Sequence, residues 1–293
     1  MRHSRRRQPR RRRLTLPAFR QTMTPTVAFI GAKGGTLKSA CTLSIATQFA
    51  RRGLRVAIVD CDPQATTTRA LPGTGEDGEE VPYRTVADPL EAPPVEVMLE
   101  QVRALGGTML LFRSGPLLWK ARQDEIVRHI QRAQAVADVV LVDTVPVLGD
   151  ISLASATAAQ LVVIPTAPTA DDLDAVDHVV AAIQESVDAD KHIRIVLTKV
   201  IAGRRNSRDA LELLSEKFPD LLYSTTIPHR TTGETANMYL RPAVLYDAIV
   251  GDGSLATAYK ALAEEIAADL GLDTEWKTAA TSGAASAAGR DLE

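Results

Sequence analysis

Apolar residues in this chain come in short, unbroken blocks rich in Val, Ile and Leu. Between the blocks lie longer stretches in which apolar positions recur every three or four residues. A block that is apolar at successive positions predicts a strand buried on both faces, the habit of parallel sheets covered by helices. The blocks predict strands at 27–30, 56–60, 109–112, 139–143, 161–165, 193–198 and 223–227. The periodic stretches predict helices at 39–52, 95–105, 117–135, 171–187 and 208–218. A last helix follows at 255–270, where Leu255, Ala258, Tyr259, Leu262, Ile266 and Leu270 mark one face. This alternation predicts an α/β fold: a doubly wound, mostly parallel sheet with helices on both faces.

The longest strand–helix repeat leaves three unequal regions: an Arg-rich arm at 1–22, one α/β domain at 23–272, and an Ala/Ser/Gly-rich tail at 273–293 expected to be disordered. Residues 71–82, acidic and glycine-rich, read as a mobile surface loop. The arm holds nine arginines and no acid; without it the chain carries 25 basic and 36 acidic residues, a formal charge of −11 rather than −2. It lacks the apolar core of a secretory signal. It reads either as an arm attracted to DNA or membrane, or as sequence upstream of a natural start at Met23. No apolar run approaches the roughly 20 residues of a membrane span. Two cysteines, Cys41 and Cys61, make neither a disulfide framework nor a metal site, and fit a reduced cytoplasmic setting.

The chemistry concentrates after the first strand, in Lys33-Gly34-Gly35-Thr36-Leu37-Lys38-Ser39-Ala40. Strand, glycine loop, lysine, hydroxyl and helix form the layout of a phosphate cradle. Backbone N–H groups point inward, and the helix N-terminus adds its positive dipole end. Lys38 is placed to reach the β- and γ-phosphates and the Ser39 hydroxyl to hold Mg²⁺. Leu37 stands where the usual phosphate-loop pattern has its second glycine, and Lys33 adds a lysine at the entrance. After the second strand comes Asp60-Cys61-Asp62-Pro63-Gln64. Its first carboxylate is placed for hydrated Mg²⁺ and its second for orienting or deprotonating a water. The run 139–142 ends in Asp143, a second magnesium candidate.

The K-G-G-x-x-K-[ST] loop is the deviant Walker A pattern. With Asp-x-Asp-Pro-Gln some twenty residues on, the chain resembles the ParA/MinD family of P-loop ATPases from about residue 26 to 270. The resemblance implies ATP and Mg²⁺ as cofactors and a homodimer formed on ATP binding. In that dimer Lys33 reaches the partner's nucleotide as an arginine finger does. It also implies that Thr198 and Pro228 lie against the adenine, that a ParB-like centromere-binding protein stimulates slow hydrolysis, and that the dimer binds DNA without sequence preference on the nucleoid. Residues 242–247 (Pro-Ala-Val-Leu-Tyr-Asp) resemble a further family stretch, whereas Asp143-Thr144-Val145-Pro146 departs from the usual Asp-Thr-Pro-Pro. His229 reads as a surface or hinge residue.

Residues 191–241 hold nine basic and five acidic side chains, and Arg204, Arg205 and Arg208 are the sharpest cluster for backbone phosphates. A ParA-like positioner of protein cargo would present the same site. A MinD-like membrane-cycling ATPase would end in a basic amphipathic helix, whereas the last helix here carries Glu264, Glu265 and Asp269 against Lys260, so no membrane is expected. The cysteines fall too early for a nitrogenase-iron-protein-like cluster. Asp-Pro-Gln favours partition over ligase-type relatives such as dethiobiotin or cobyrinate synthases.

Overall fold

A computed structural model describes residues 24–74, 80–97, 99–233 and 251–272. The arm, the tail, the stretch at 242–247 and Arg241 lie outside the described residues. The strands are β1 (Thr26–Phe29), β2 (Arg55–Asp60), β3 (Pro72–Thr74), β4 (Glu80–Pro82), β5 (Val95–Val97), β6 (Thr108–Phe112), β7 (Val139–Asp143), β8 (Leu161–Thr166) and β9 (His192–Leu197). Helices are α1 (Lys38–Arg51), α2 (Thr66–Arg69), α3 (Glu100–Arg103), α4 (Gln123–Gln134), α5 (Asp150–Ala158), α6 (Ala170–Ser186), α7 (Arg205–Lys217) and α8 (Ser254–Asp269), with a 3₁₀ turn at Pro116–Lys120.

Seven strands form one sheet in the order β5-β6-β2-β7-β1-β8-β9, and only the β5–β6 pair is antiparallel. Along β1, Val27 and Phe29 belong to one apolar cluster and Ala28 and Ile30 to the other. Period-two alternation therefore buries both faces, which is why the blocks read as continuous. α1 and α8 cover the first face through Phe49, Tyr259 and Leu262. α4, α5, α6 and α7 cover the second through Ile126, Ala154, Ile183 and Leu214. The order reverses about β1, with β7 and β2 on one side and β8 on the other. The crevice at the carboxyl ends of these strands is where such sheets receive ligands. Asp60 and Asp143 are register partners there, and Phe29 of β1 is the other register partner of Asp143.

Several expectations are corrected. The segment expected as a helix at 95–105 begins as β5, because Val95 and Val97 alternate and pair with Leu111 and Met109; only Glu100–Arg103 is helical. The helix expected at 117–135 is split: Ala121 and Arg122 are extended, and the Glu125 carboxylate accepts the Arg122 N–H at 2.8 Å, starting α4 afresh. The strand expected at 223–227 makes only isolated ladder bonds. Tyr223 N–H donates to Ile195 O and Ile227 N–H to Leu197 O, but Ser224 and Thr225 turn their N–H groups to Glu265 of α8. The described ends of 71–82 form the β3–β4 hairpin rather than a plain loop. Helix α5 was not expected: its sequence, DISLASATA, has small residues on every side and no apolar stripe.

Candidate functional site

The loop between β1 and α1 turns because Gly35 (φ 81) and Leu37 (φ 68) adopt left-handed backbone conformations. Such turns bring successive N–H groups into a concave nest that suits an anion. A leucine there is disfavoured, so the surroundings hold it: Leu37 packs against the α1–α8 core and its carbonyl accepts the Cys41 N–H at 2.8 Å. The Thr198 hydroxyl reaches the Thr36 carbonyl (3.3 Å) and the Thr166 carbonyl (3.0 Å), tying the ends of β8 and β9 to the loop.

Lys38 is buried, and its Nζ donates to the Lys33 carbonyl at 2.9 Å. Burial pushes its pKa down, while Asp143 and Asp62 hold it up. Among the described residues Thr36 Oγ1, also buried, has no hydrogen-bond partner, and the same holds for Asp143 Oδ1. Asp143 is fully buried; Thr67 Oγ1 donates to its Oδ2 at 2.6 Å and the Ser39 hydroxyl also bonds to it. Asp60 is differently placed: Thr68 N–H and Oγ1–H donate to its Oδ2 at 2.7 and 2.6 Å, and Asp62 N–H to its Oδ1 at 3.1 Å. Burial, then the neighbouring Asp143 carboxylate, pushes the Asp60 pKa up; burial pushes Asp143 up as well. Asp62 is buried as well, with Oδ1 accepting the Gln64 N–H at 2.8 Å. Burial raises its pKa, with that bond, Lys38 and Arg69 opposing.

A hard divalent cation fits this donor set. It wants oxygen ligands, and a buried orphaned carboxylate oxygen beside a serine hydroxyl offers two. Among the described residues no cluster of three His, Cys, Asp or Glu side chains forms a complete metal site, so substrate phosphates and water would fill the other positions.

On the far side of the loop a cleft of about 220 Å³ is lined by Gly35, Leu37, Ala40, Lys199, Pro228 and Tyr259. Pro228 thus faces the cleft, as does the neighbouring His229, whereas Thr198 is fully buried and braces the loop from behind. Lys33 does not point into the cradle: its Nζ lies 2.9 Å from Asp171 Oδ2 in the first turn of α6. Arg204, Arg205 and Arg208 are exposed at the start of α7, and Arg205 pairs with Asp209 at 3.3 Å. The structure therefore gathers Thr36, Lys38, Ser39, Asp60, Asp62 and Asp143 at one crevice. It adds Thr67 and Thr68, to which sequence reasoning gave no role, while Lys199, at the strand end expected beside the adenine, lines the cleft. The Thr66-Thr67-Thr68 run, one residue after Asp62-Pro63-Gln64, was the available signal for Thr67 and Thr68.

Residues 27–239 match the CobQ/CobB/MinD/ParA nucleotide binding domain family. The chain is 26% identical to the sporulation initiation inhibitor protein Soj of Bacillus subtilis over 257 residues, covering 84% of this chain and all of that protein. It is 28% identical to the chromosome-partitioning ATPase Soj of Thermus thermophilus, covering 83% of this chain and 95% of that one. Its fold is similar to that of the septum site-determining protein MinD of Pyrococcus horikoshii, complexed with Mg-ADP, with a TM-score of 0.65 at 18% identity over 83% of this chain and 96% of that one. A family match over well more than half the chain, on a seven-stranded sheet with a glycine-turned lysine loop, shows that this chain belongs to the CobQ/CobB/MinD/ParA nucleotide-binding family as a P-loop ATPase of the ParA/MinD type.

Proposed function

We propose that the chain is a ParA-type partition ATPase. It binds ATP with Mg²⁺, pairs as a two-fold sandwich when charged, binds DNA without sequence preference, and moves a plasmid or chromosome region with a ParB-like centromere-binding partner. One observation carries the nucleotide reading: a buried ammonium, Lys38, sits beside two buried oxygens, Thr36 Oγ1 and Asp143 Oδ1, that have no partner among the described residues. Buried polar groups are ordinarily satisfied, so this trio is arranged for a ligand that is both anionic and metal-bearing.

Lys38 and the nest at 34–38 neutralise the β- and γ-phosphates and fix their direction. Ser39 and Asp143 would hold the magnesium ion, which supplies charge neutralisation along the phosphates. Asp60, its oxygens engaged by Thr68 and Asp62, holds the adjoining loop in place from beside them. Asp62 then orients the attacking water and takes up its proton, and the upward shift of its pKa by burial suits a base. Pro228 and the cleft around it receive the base. Lys33, tied to Asp171 within one subunit, is released to reach a partner's phosphates in the dimer.

Partition rather than a lipid cycle is supported by the likeness to Soj and by α8, whose Glu265 and Asp269 are bonded to the body of the protein rather than offering a basic face. Among the described residues no helix is long and apolar enough to cross a membrane. The test is DNA co-sedimentation with ATP, ADP or no nucleotide, using chains that start at Met1 and at Met23. Retention only with ATP, in both chains, is expected. An Arg204→Ala/Arg205→Ala double change is expected to weaken it several-fold at moderate salt and flatten its salt dependence. Nucleotide-independent binding confined to the longer chain would refute the DNA reading of the folded domain.

A further inference from the structure

Ser114 lies two residues beyond β6 and is fully buried. It is hydrogen-bonded at every polar atom. Its Oγ–H donates to the Asp62 carbonyl at 2.6 Å, and its N–H donates to Thr68 Oγ1 at 2.9 Å. Its carbonyl accepts the Val86 N–H at 3.0 Å. The next residue, Gly115, has no room for a side chain, since a Cβ would stand 2.0 Å from the Val86 carbonyl oxygen. Ser114 is thus wedged between the Val86 strand-like segment on one side and the Asp60–Thr68 loop on the other.

That loop requires holding. Ala65 adopts a left-handed backbone conformation (φ 57), one an alanine leaves unless its surroundings impose it. Asp60 grips the two ends of the loop, through Asp62 N–H and through Thr68. Ser114 grips it at the Asp62 carbonyl and again at the Thr68 hydroxyl that Asp60 uses. Among the described residues the Asp62 carboxylate itself has one protein bond, the Gln64 N–H on Oδ1. The height and tilt of that carboxylate are therefore set through its backbone, and Ser114 is the side chain that fixes this backbone from outside the loop.

We propose that Ser114 is a positioning residue for ATP hydrolysis, acting through Asp62; this rests on the assignment of Asp62 as the group that orients the attacking water. Ser114 makes no contact with nucleotide or water in this scheme. Loss of its hydroxyl leaves the Asp62 carbonyl with only the Ala65 N–H, a bond inside the loop at 2.7 Å, and removes its tie to the body of the protein; small displacements of a water-orienting group are costly in rate.

The experiment measures hydrolysis, ATP affinity and melting temperature for wild type, Ser114→Ala, Asp62→Ala and the double variant. Ser114→Ala is expected to lower kcat about tenfold, the factor carried by one ordinary buried hydrogen bond, with ATP affinity within about twofold of wild type. In the Asp62→Ala background the same change is expected to do nothing further, the non-additivity of two residues acting as one unit. Ser114→Cys, which keeps the volume with a weaker donor, is expected to fall between, and it stands in if the alanine variant does not fold. An unchanged kcat in both Ser114 variants, or an equal drop in both backgrounds, overturns the inference while leaving Asp62 in place. A normal rate in Asp62→Ala overturns the assignment of Asp62 itself and the inference with it.

Discussion

Lys38 combines two costs that a purely structural lysine would not carry. Its ammonium is buried, and among the described residues it is hydrogen-bonded to a single carbonyl; burial lowers its pKa against the pull of Asp143 and Asp62. A buried charge with so few partners adds little to stability, because desolvation offsets the attraction it recovers. The consequence separates a ligand-binding role from a structural one. Lys38→Met, close in length and apolar, is expected to lose at least about 100-fold in ATP affinity, since tenfold corresponds to only about 1.4 kcal/mol. Without nucleotide it is expected to melt within roughly 2 °C of wild type, as changes below about 1 kcal/mol do in a domain of this size. Calorimetric titration with ATP and a melting curve check both halves. A variant that bound ATP normally, or that melted many degrees lower, would show that the ammonium is part of the scaffold.

Among the elements, α8 shows how distant pieces of chain are locked together. Asp269 accepts two bonds from the Arg194 guanidinium, at 2.9 Å each, and one from the Tyr223 hydroxyl at 2.7 Å, joining α8 to β9 and to the segment beyond α7. Burial alone would raise the Asp269 pKa, but these donors hold it below the ordinary carboxylate range. A carboxyl depressed in the folded state stabilises above its unfolded pKa, near 3.9, and that contribution disappears as pH falls through the lower folded value. Asp269→Asn is therefore expected to lower the melting temperature at neutral pH by roughly 4–8 °C, the equivalent of about 2 kcal/mol for charged hydrogen bonds. It is also expected to shrink the loss of stability between about pH 5 and pH 2. Melting curves across that range decide it, and an unchanged acid profile would remove Asp269 from the acid transition. The same contacts explain where sequence reasoning succeeded. β1, β2, β7 and β8 were legible because both their faces are buried, so hydrophobicity marks nearly every position. The 223–227 strand was over-read because Glu265, forty residues away, captures the N–H groups of Ser224 and Thr225. α5 was invisible because a helix of Ala and Ser packed on most sides has no polar face to set a period. In the site, the loop at 33–39 and both aspartate segments were legible because each is contiguous. The Thr68–Asp60 clamp was not, since it exists only once the chain after β2 has turned back on itself, and the Ser114 brace was not, since it needs β2 and β6 side by side.

For the whole molecule, the proposal of a protein that acts in pairs turns on Lys33. A lysine meant to complete its own cradle would be expected to point inward, toward the space beside Lys38. Instead Lys33 turns outward to Asp171, an acid in the first turn of α6 whose pKa the lysine draws down. Both groups are largely exposed, with side-chain exposures of 40% and 82%, so water and salt screen the pair and it is easily exchanged for another partner. α6 itself is firmly begun, since Thr169 caps it by accepting the Asp172 N–H at 3.3 Å and donating to that carboxylate at 2.6 Å. Asp171 is thus a fixed anchor, and in the proposed dimer Lys33 is the arm that leaves it. If the ammonium is needed at the nucleotide of a second copy, wild type is expected to double its mass in sedimentation when ATP and magnesium are added, and to return to one copy with ADP. Lys33→Ala is expected to keep ATP affinity within a few-fold of wild type, because the loop that grips the phosphates is untouched, yet to lose hydrolysis by about 10³-fold, the scale of a missing cationic finger. Asp171→Asn frees the arm without removing it, so its expected effect is opposite in sign and small: dimerisation at a few-fold lower ATP concentration, fading as salt is raised. A Lys33→Ala protein that hydrolysed ATP normally would make the lone subunit the working unit, and the outward lysine no more than one half of a surface ion pair.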